Sequence, residues 1–183
     1  YWELWGLVSK ITSHAWRRAL MMCAGAIYIG LACFTLVTLR SPFFGMSAAL
    51  MLVGAVIATD IGAYFVGRNI GGPKIAPRIS PSKTWSGLAG GMFAAGLALV
   101  GIAWLLANSD LHMGIWYHFG VGAMIAVIAQ IGDFFQSWLK RRAGVKDSGN
   151  LIPGHGGLFD RADGLIAVLF VTGAIASVAW VGA

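Results

Sequence analysis

Long apolar stretches separated by short polar ones make up most of this chain. Five runs, near 19–39, 43–66, 87–107, 115–139 and 162–182, each hold about the 20 residues that a helix needs to cross a hydrocarbon core roughly 30 Å thick. The expected fold class is all-α, a polytopic transmembrane helix bundle with about five spanning helices and two functional cytoplasmic loops. Residues 1–18 stand apart, because Trp2, Trp5 and Trp16 mix there with Lys10, Arg17 and Arg18. That mixture suits an interfacial segment or the end of a missing upstream helix, with the transmembrane domain over 19–183. The chain opens at Tyr1 rather than Met, which is read as a fragment lacking upstream helices.

The polar interruptions differ in kind. From Gly67 to Ser86 prolines and glycines rule out a long helix, and Arg68, Lys74, Arg78 and Lys83 make the segment basic. Gly87, Gly90, Gly91, Ala94, Ala95 and Ala98 then allow close helix contact in the third span. His112, Trp116, Tyr117 and His118 fit an outer interfacial belt. The first span, with both cysteines and no charged residue inside, reads as a lipid-facing or packing helix. Cys23 and Cys33 lie about 15 Å apart along it, too far to pair.

Composition agrees with a membrane chain, at 58% hydrophobic and 11% charged residues. The net charge of +6 does not point to nucleic acid, because the cations sit in a few interhelical segments. Placing residues 1–18, 67–86 and 140–161 on one side leaves Arg40 as the cation opposite. The positive-inside rule makes the crowded side cytoplasmic and the C-terminus external.

Most of the usable chemistry lies between Ser137 and Asp163. Polar residues concentrated between apolar helices are expensive unless they are used. Asp60 and Asp133 each lie inside an apolar run about six residues from its cytoplasmic end, hence roughly 9 Å deep. Asp160 and Asp163, three apart, are expected to share a helical face at the start of the last span. Four carboxylates from three helices then converge below the cytoplasmic surface, where protons or bound cations must offset their repulsion. Hard divalent metals favour such oxygen ligands, and Mg2+ typically takes one or two carboxylates plus substrate phosphates. The plainer reading is that each Asp pairs with a nearby Arg or caps a helix, as Asp160 would at the start of its own.

Arg68, Lys74, Arg78 and Lys83 on one loop, and Lys140, Arg141, Arg142, Lys146 and Arg161 on or beside the other, supply phosphate-binding charge. Metal-binding acids beside such bases are what group transfer on a polyphosphate requires. Satisfying topology and anionic head groups accounts for part of this set, Arg141 and Arg142 above all. Ser80, Ser82, Lys83 and Thr84 offer hydroxyls and an ammonium together, although they form no Walker A loop. Around His155, Gly156 and Gly157 provide a close-approach backbone able to present amides to a phosphate. His155 is open to a structural or a catalytic role. Tyr64 lies one turn from Asp60, and Ser137 one turn from Asp133, so both pairs line one helix face.

These residues resemble the CDP-diacylglycerol synthases, or phosphatidate cytidylyltransferases. The family signature falls on Ser137, Leu139, Lys140, Arg141, Lys146, Asp147, Gly149, Ile152, Pro153, His155, Gly156, Gly157, Leu158, Asp160, Arg161 and Asp163, with Ala162 standing where a larger apolar residue is usual. A second block is similar from Asp60, Ala63, Tyr64, Gly67 and Arg68 through Gly72, Lys74, Ile79, Ser80, Pro81, Lys83, Thr84 and Gly87. There Ser86 replaces a common acidic residue. The resemblance covers roughly residues 45–180.

It implies transfer of a cytidylyl group from CTP to phosphatidate, giving CDP-diacylglycerol and pyrophosphate in phospholipid biosynthesis. Asp133, Asp160 and Asp163 are the expected metal ligands, Asp133 and Asp160 holding the metal pair, with Mg2+ in one of its two positions, and Asp163 completing or orienting that shell; these three with Lys146 form the expected catalytic group. Asp60, Tyr64, Arg68, Lys74, Ser80, Ser82, Lys83, Thr84, Ser137, Lys140, Arg141, His155, Gly156, Gly157 and Arg161 are the expected substrate-binding residues. The implied setting is a bacterial inner membrane with the site facing the cytoplasm. CTP, phosphatidate and the bilayer are the partners, nucleic acid is not, and a homodimer is an open assembly. The rivals are a CTP-using polyprenol kinase, a CDP-alcohol phosphotransferase and a cation-coupled transporter. The phosphotransferase lacks its opening here, since Asp163-Gly164 leads into Leu165-Ile166-Ala167-Val168. A transporter's internal repeats are not found.

Overall fold

A computed structural model describes residues 2–12, 14–40, 45–106, 114–149, 157 and 159–181. Its helices are α1 (Trp2–Ile11), α2 (Ala15–Leu39), α3 (Gly45–Asn69), α4 (Trp85–Leu106), α5 (Ile115–Arg142) and α6 (Asp163–Val181). Two strands, β1 (Lys74–Ala76) and β2 (Ser80–Thr84), lie between α3 and α4. The chain is all-α and polytopic: α2, α3, α4 and α5 are each long and apolar enough to cross a membrane, and α6 adds a shorter apolar helix over Asp163–Val178. By contact the chain divides into one unit of residues 1–35 and 132–183 and another of residues 36–131.

In the second unit, small residues set the packing. A Cβ on Gly62 would stand 2.6 Å from the Gly90 carbonyl oxygen and 2.5 Å from the Ala94 Cβ, so α3 and α4 meet almost backbone to backbone. Gly91 repeats this against the Thr59 carbonyl at 3.0 Å, and Gly122 of α5 against that of Ala95 at 2.5 Å. Between apolar helices in lipid, where hydrophobic burial supplies no net drive, such close approach gains dispersion contacts. Ala55, Ala95, Leu99 and Ala126 form the buried centre, with Met51, Met92, Val121 and Ile125 packed around it.

The basic segment after α3 is more ordered than a loop. β1 and β2 pair antiparallel, with Lys74 opposite Thr84 and Ala76 opposite Ser80, across an irregular register. Gly71 and Gly72, at φ 64° and 109°, turn the chain out of α3 into this hairpin, a conformation glycine adopts without a Cβ penalty. The Trp85 N–H donates to the Pro73 carbonyl at 3.1 Å and closes the ribbon. Pro81 is tolerated because a two-stranded ribbon is all edge.

In the first unit, Leu4, Leu7 and Val8 of α1 are buried at helical spacing. Leu4 and Val8 cluster with Met22 of α2, and Leu4 lies where a Gly25 side chain would begin. Residues 2–11 are thus a packed helix, and α2 starts at Ala15 rather than near residue 19. Thr35 of α2 packs against Gly173 of α6 and donates to the Leu31 carbonyl at 2.8 Å. Gly132 of α5 faces Ala167 and the Asp163 carbonyl of α6, at 2.3 and 3.0 Å from where its Cβ would be.

Candidate active site

α5 ends in a Schellman turn: the Val145 N–H donates to the Lys140 carbonyl at 3.0 Å, the Gly144 N–H donates to that of Arg141 at 3.1 Å, and Gly144 takes φ 69°. This stop leaves three cations in the last helical turn, and helix geometry sends them in different directions. Lys140 reaches Asp160, 2.7 Å from Nζ to Oδ1, with both side chains largely buried. Arg142 lies over the Trp138 ring, 5.3 Å from its centroid, and Arg141 is exposed.

Asp160 accepts three hydrogen bonds. Its Oδ1 takes the Lys140 ammonium, while Oδ2 accepts the N–H of Ser148 at 2.8 Å and of Gly157 at 3.1 Å. Burial pushes this carboxyl up, but the Lys140 hydrogen bond, the two backbone donors and the Lys140 charge together outweigh it and hold the group below its ordinary value of 3.8. Asp160 also lies in a turn ahead of α6, which begins at Asp163. The expected helical face shared by Asp160 and Asp163 is therefore not formed, and neither is the expected cap. The Asp160 N–H bonds back to the Gly157 carbonyl at 3.2 Å, which turns its carboxylate toward residue 148 instead.

Two further carboxylates of this unit, Asp133 and Asp163, come from α5 and the first turn of α6. Close packing at Gly132 brings the Asp133 position beside the Asp163 backbone, and both carboxylates lie within electrostatic reach of the Tyr28 hydroxyl. Tyr28 packs on Phe170 and Phe135, with ring centroids 5.1 and 6.3 Å away. The Asp163 Oδ1 accepts the Gly164 N–H at 2.9 Å, and its charge suits the N-terminal end of α6.

Sequence reasoning missed Glu3, Tyr28, Gln136 and Ser148. The Gln136 Nε2 donates to the Phe159 carbonyl at 2.7 Å, and the Phe159 N–H donates to the Glu3 Oε2 at 2.9 Å. The Ser148 hydroxyl donates to that same Oε2 at 3.1 Å. The available signals were a tyrosine in an otherwise apolar span and a glutamine one turn from both Asp133 and Lys140.

Of the remaining expected residues in this unit, Ser137 is half-buried one turn beyond Asp133, while Lys146 and Arg161 are exposed. His155 and Gly156 lie outside the described residues. In the other unit, Asp60 is exposed on α3, and Arg68 donates to the Tyr64 hydroxyl one turn before it while stacking near that ring at 5.7 Å. Thr84 is buried and caps α4, its Oγ1 accepting the Gly87 N–H at 3.1 Å. The Ser86 hydroxyl donates to the Gly71 carbonyl and lies 3.0 Å from the Thr84 oxygen. Ser80 is buried in β2, whereas Lys74 and Ser82 are exposed and Lys83 is half-buried.

Among the described residues no three His, Cys, Asp or Glu side chains gather as a metal cage. Mg2+ seldom uses an all-protein cage and completes its shell with water and phosphate oxygens, so the carboxylates of Asp133 and Asp163, both within electrostatic reach of the Tyr28 hydroxyl, are of the donor type it takes. The Asp160 Oδ1 is held by Lys140.

Residues 1–179 match a family described as the cytidylyltransferase family. Among curated proteins, the chain is 46% identical over 156 residues to a phosphatidate cytidylyltransferase of Brucella suis, covering 83% of this chain and 56% of that protein. A Rickettsia bellii protein of the same name is 36% identical over 165 residues, covering 88% of this chain and 71% of the relative. One from Bacillus subtilis is 40% identical over 145 residues, covering 79% and 53%. The chain thus spans a little over half the length of the Brucella relative, 56%.

Proposed function

This chain belongs to the cytidylyltransferase family, and on that premise we propose that it transfers a cytidylyl group from CTP to phosphatidate, giving CDP-diacylglycerol and pyrophosphate. A phosphatidate oxygen attacks the α-phosphorus of CTP, and the bond from that phosphorus to the bridging oxygen of the pyrophosphate breaks. Phosphatidate is anionic at neutral pH, so the step needs neither a protein nucleophile nor a strong base. What the protein must supply is position and charge.

The observation that most supports this reading is that Asp133 and Asp163 both lie within electrostatic reach of the Tyr28 hydroxyl where Gly132 packs α5 against α6, with the Lys140–Asp160 pair in the same unit. Asp133 and Asp163 would hold Mg2+, which when bound neutralises phosphate charge and orients the oxygens for in-line displacement. Asp160 keeps residues 148 and 157 in place. Lys146 and Arg161, both exposed, are assigned to the lipid phosphate and the departing pyrophosphate. In the other unit, Lys83, Lys74 and Arg68 supply positive charge of the kind that binds phosphate. A bacterial inner membrane with the site on its cytoplasmic side is the setting that matches the cation distribution and a water-soluble nucleotide.

The test is to incubate the purified protein in detergent with Mg2+, CTP and phosphatidate, identify the lipid product by mass and measure pyrophosphate. CDP-diacylglycerol with equal pyrophosphate is the expected result. Release of CDP with a phosphorylated polyprenol would overturn it in favour of a kinase.

A further inference from the structure

The side chain of Glu3 enters the candidate site from α1, in a segment whose sequence reads as an interfacial segment or the end of a missing upstream helix. Its Oε2 accepts two hydrogen bonds, one from the Ser148 hydroxyl at 3.1 Å and one from the Phe159 N–H at 2.9 Å. The two donors sit on either side of residues 149–158, so one carboxylate ties both ends of that segment. Glycine leaves room where it passes: a Cβ on Gly157 would lie 2.6 Å from the Glu3 Oε1 and 2.2 Å from the Ser148 Oγ, and one on Gly149 would lie 2.9 Å from the Glu3 Cγ, so a side chain at either position would displace Glu3 or Ser148. Two glycines of the signature therefore make room for a side chain from α1.

The carboxylate is also firmly based. Glu3 shares a helix face with Leu7, which is 1% exposed, and it adjoins the buried Leu4. From the other direction, Gln136 donates to the Phe159 carbonyl, so side chains of α1 and α5 hold both polar groups of the Phe159 backbone. The next residue is Asp160, whose Oδ2 gathers the N–H groups of Ser148 and Gly157. The two donors to Glu3 thus lie against Asp160, Ser148 by a hydrogen bond and Phe159 as its chain neighbour.

We infer that Glu3 is a positioning residue: through Ser148 and Phe159 it fixes the backbone that orients Asp160 against Lys140, and so couples the seat of α1 to the geometry of the site. Its effect on turnover rests on the cytidylyl-transfer reading; its effect on backbone order does not. An acid in the first turn of α1 would also favour that helix through its dipole, a purely structural role that predicts no change around residues 148 and 159.

The experiment compares the parent with Glu3→Ala and Glu3→Gln in detergent, by hydrogen–deuterium exchange and by steady-state kinetics. Loss of a charge-assisted hydrogen bond should speed exchange at the Ser148 and Phe159 amides by about tenfold or more, with α2, α5 and α6 unchanged. In the kinetic arm kcat should fall by about tenfold while the KM for CTP stays within about twofold, with Glu3→Gln intermediate because its amide keeps one acceptor. A double variant with Ser148→Ala should fall short of the summed single effects, since the two groups share a bond. Unchanged exchange at both amides overturns the inference. A rise in kcat with a lower KM for CTP also overturns it, and would mean that the carboxylate occupies a cradle meant for a substrate phosphate. A parent protein that makes no CDP-diacylglycerol would remove the proposed function while the exchange arm still decides the role of Glu3.

Discussion

The Lys140 ammonium and the Asp160 carboxylate lie 2.7 Å apart although twenty residues separate them in the chain. Lys140 belongs to the last turn of α5, and Asp160 to the turn before α6, so this pair closes the segment that carries most of the chain's polar chemistry. Replacing Lys140 by Met should leave a largely buried carboxylate with two backbone donors and no counter-charge. The expected cost is about 1.5–3 kcal/mol, the range for a hydrogen bond to a charged group, with loss of turnover exceeding loss of stability. Thermal unfolding followed beside activity checks this, and equal behaviour of variant and parent would reduce the pair to a surface contact.

The same carboxylate sets an acid limit. Because its folded value is held below 3.8, Asp160 contributes stability that is fully present above 3.8 and is lost as pH falls through the lowered value. Exchange at the Ser148 amide, corrected for the intrinsic rate, should therefore stay protected down to pH 3.8 and loosen below it. Loosening that begins well above 3.8 would contradict the assigned balance of burial against hydrogen bonding.

Asp133→Asn and Asp163→Asn should each lower kcat by about two orders of magnitude or more, as expected where a ligand worth several kcal/mol to charge neutralisation is lost. Circular dichroism should remain that of the parent, and Asp163→Asn should raise the Mg2+ concentration for half-maximal rate. Substantial activity in Asp133→Asn would take that residue out of the metal site.

Gly132→Ala tests the α5–α6 crossing next to Asp133 and Asp163. The new methyl would stand 2.3 Å from the Ala167 Cβ and 3.0 Å from the Asp163 carbonyl oxygen, where no flexible side chain is available to yield. Overpacking of this kind costs about 1–3 kcal/mol. Activity should drop with stability, and Ala167→Gly in the same chain should restore part of both.

Thr84 separates capping from substrate contact. Thr84→Ala removes the acceptor for the Gly87 N–H, at an expected cost of about 1 kcal/mol, and Thr84→Ser should restore it. A serine variant that regains stability but not its KM for CTP would show that the methyl group or its setting serves the nucleotide as well.

Several elements were legible without coordinates because they depend on local pattern. The apolar runs gave the helices, since a chain crossing lipid must satisfy its backbone internally. Gly87, Gly90, Gly91, Ala94 and Ala95 marked the third span for close helix contact, for which small residues are the physical requirement, though not which helices it would meet. The hairpin at 74–84 was harder, because short strands broken by Pro81 resemble a loop in composition.

The site was legible as a set of residues but not as an arrangement. Spacing along the chain identifies Asp133, Lys140, Asp160 and Asp163 as costly groups that must be used, yet it places Asp160 on a helix that in fact begins three residues later. Which cation meets which acid depends on where α5 stops, and three adjacent cations differ by rotations that composition does not encode. Glu3 was invisible as a site residue because its donors, Ser148 and Phe159, are 145 and 156 positions away. The sequence by itself determined the membrane helices, the charged segments and the chemistry they offer, all properties of residue type and near-neighbour spacing. Only the tertiary structure decided the pairings, because a hydrogen bond depends on distances of a few ångströms that helix packing alone brings about.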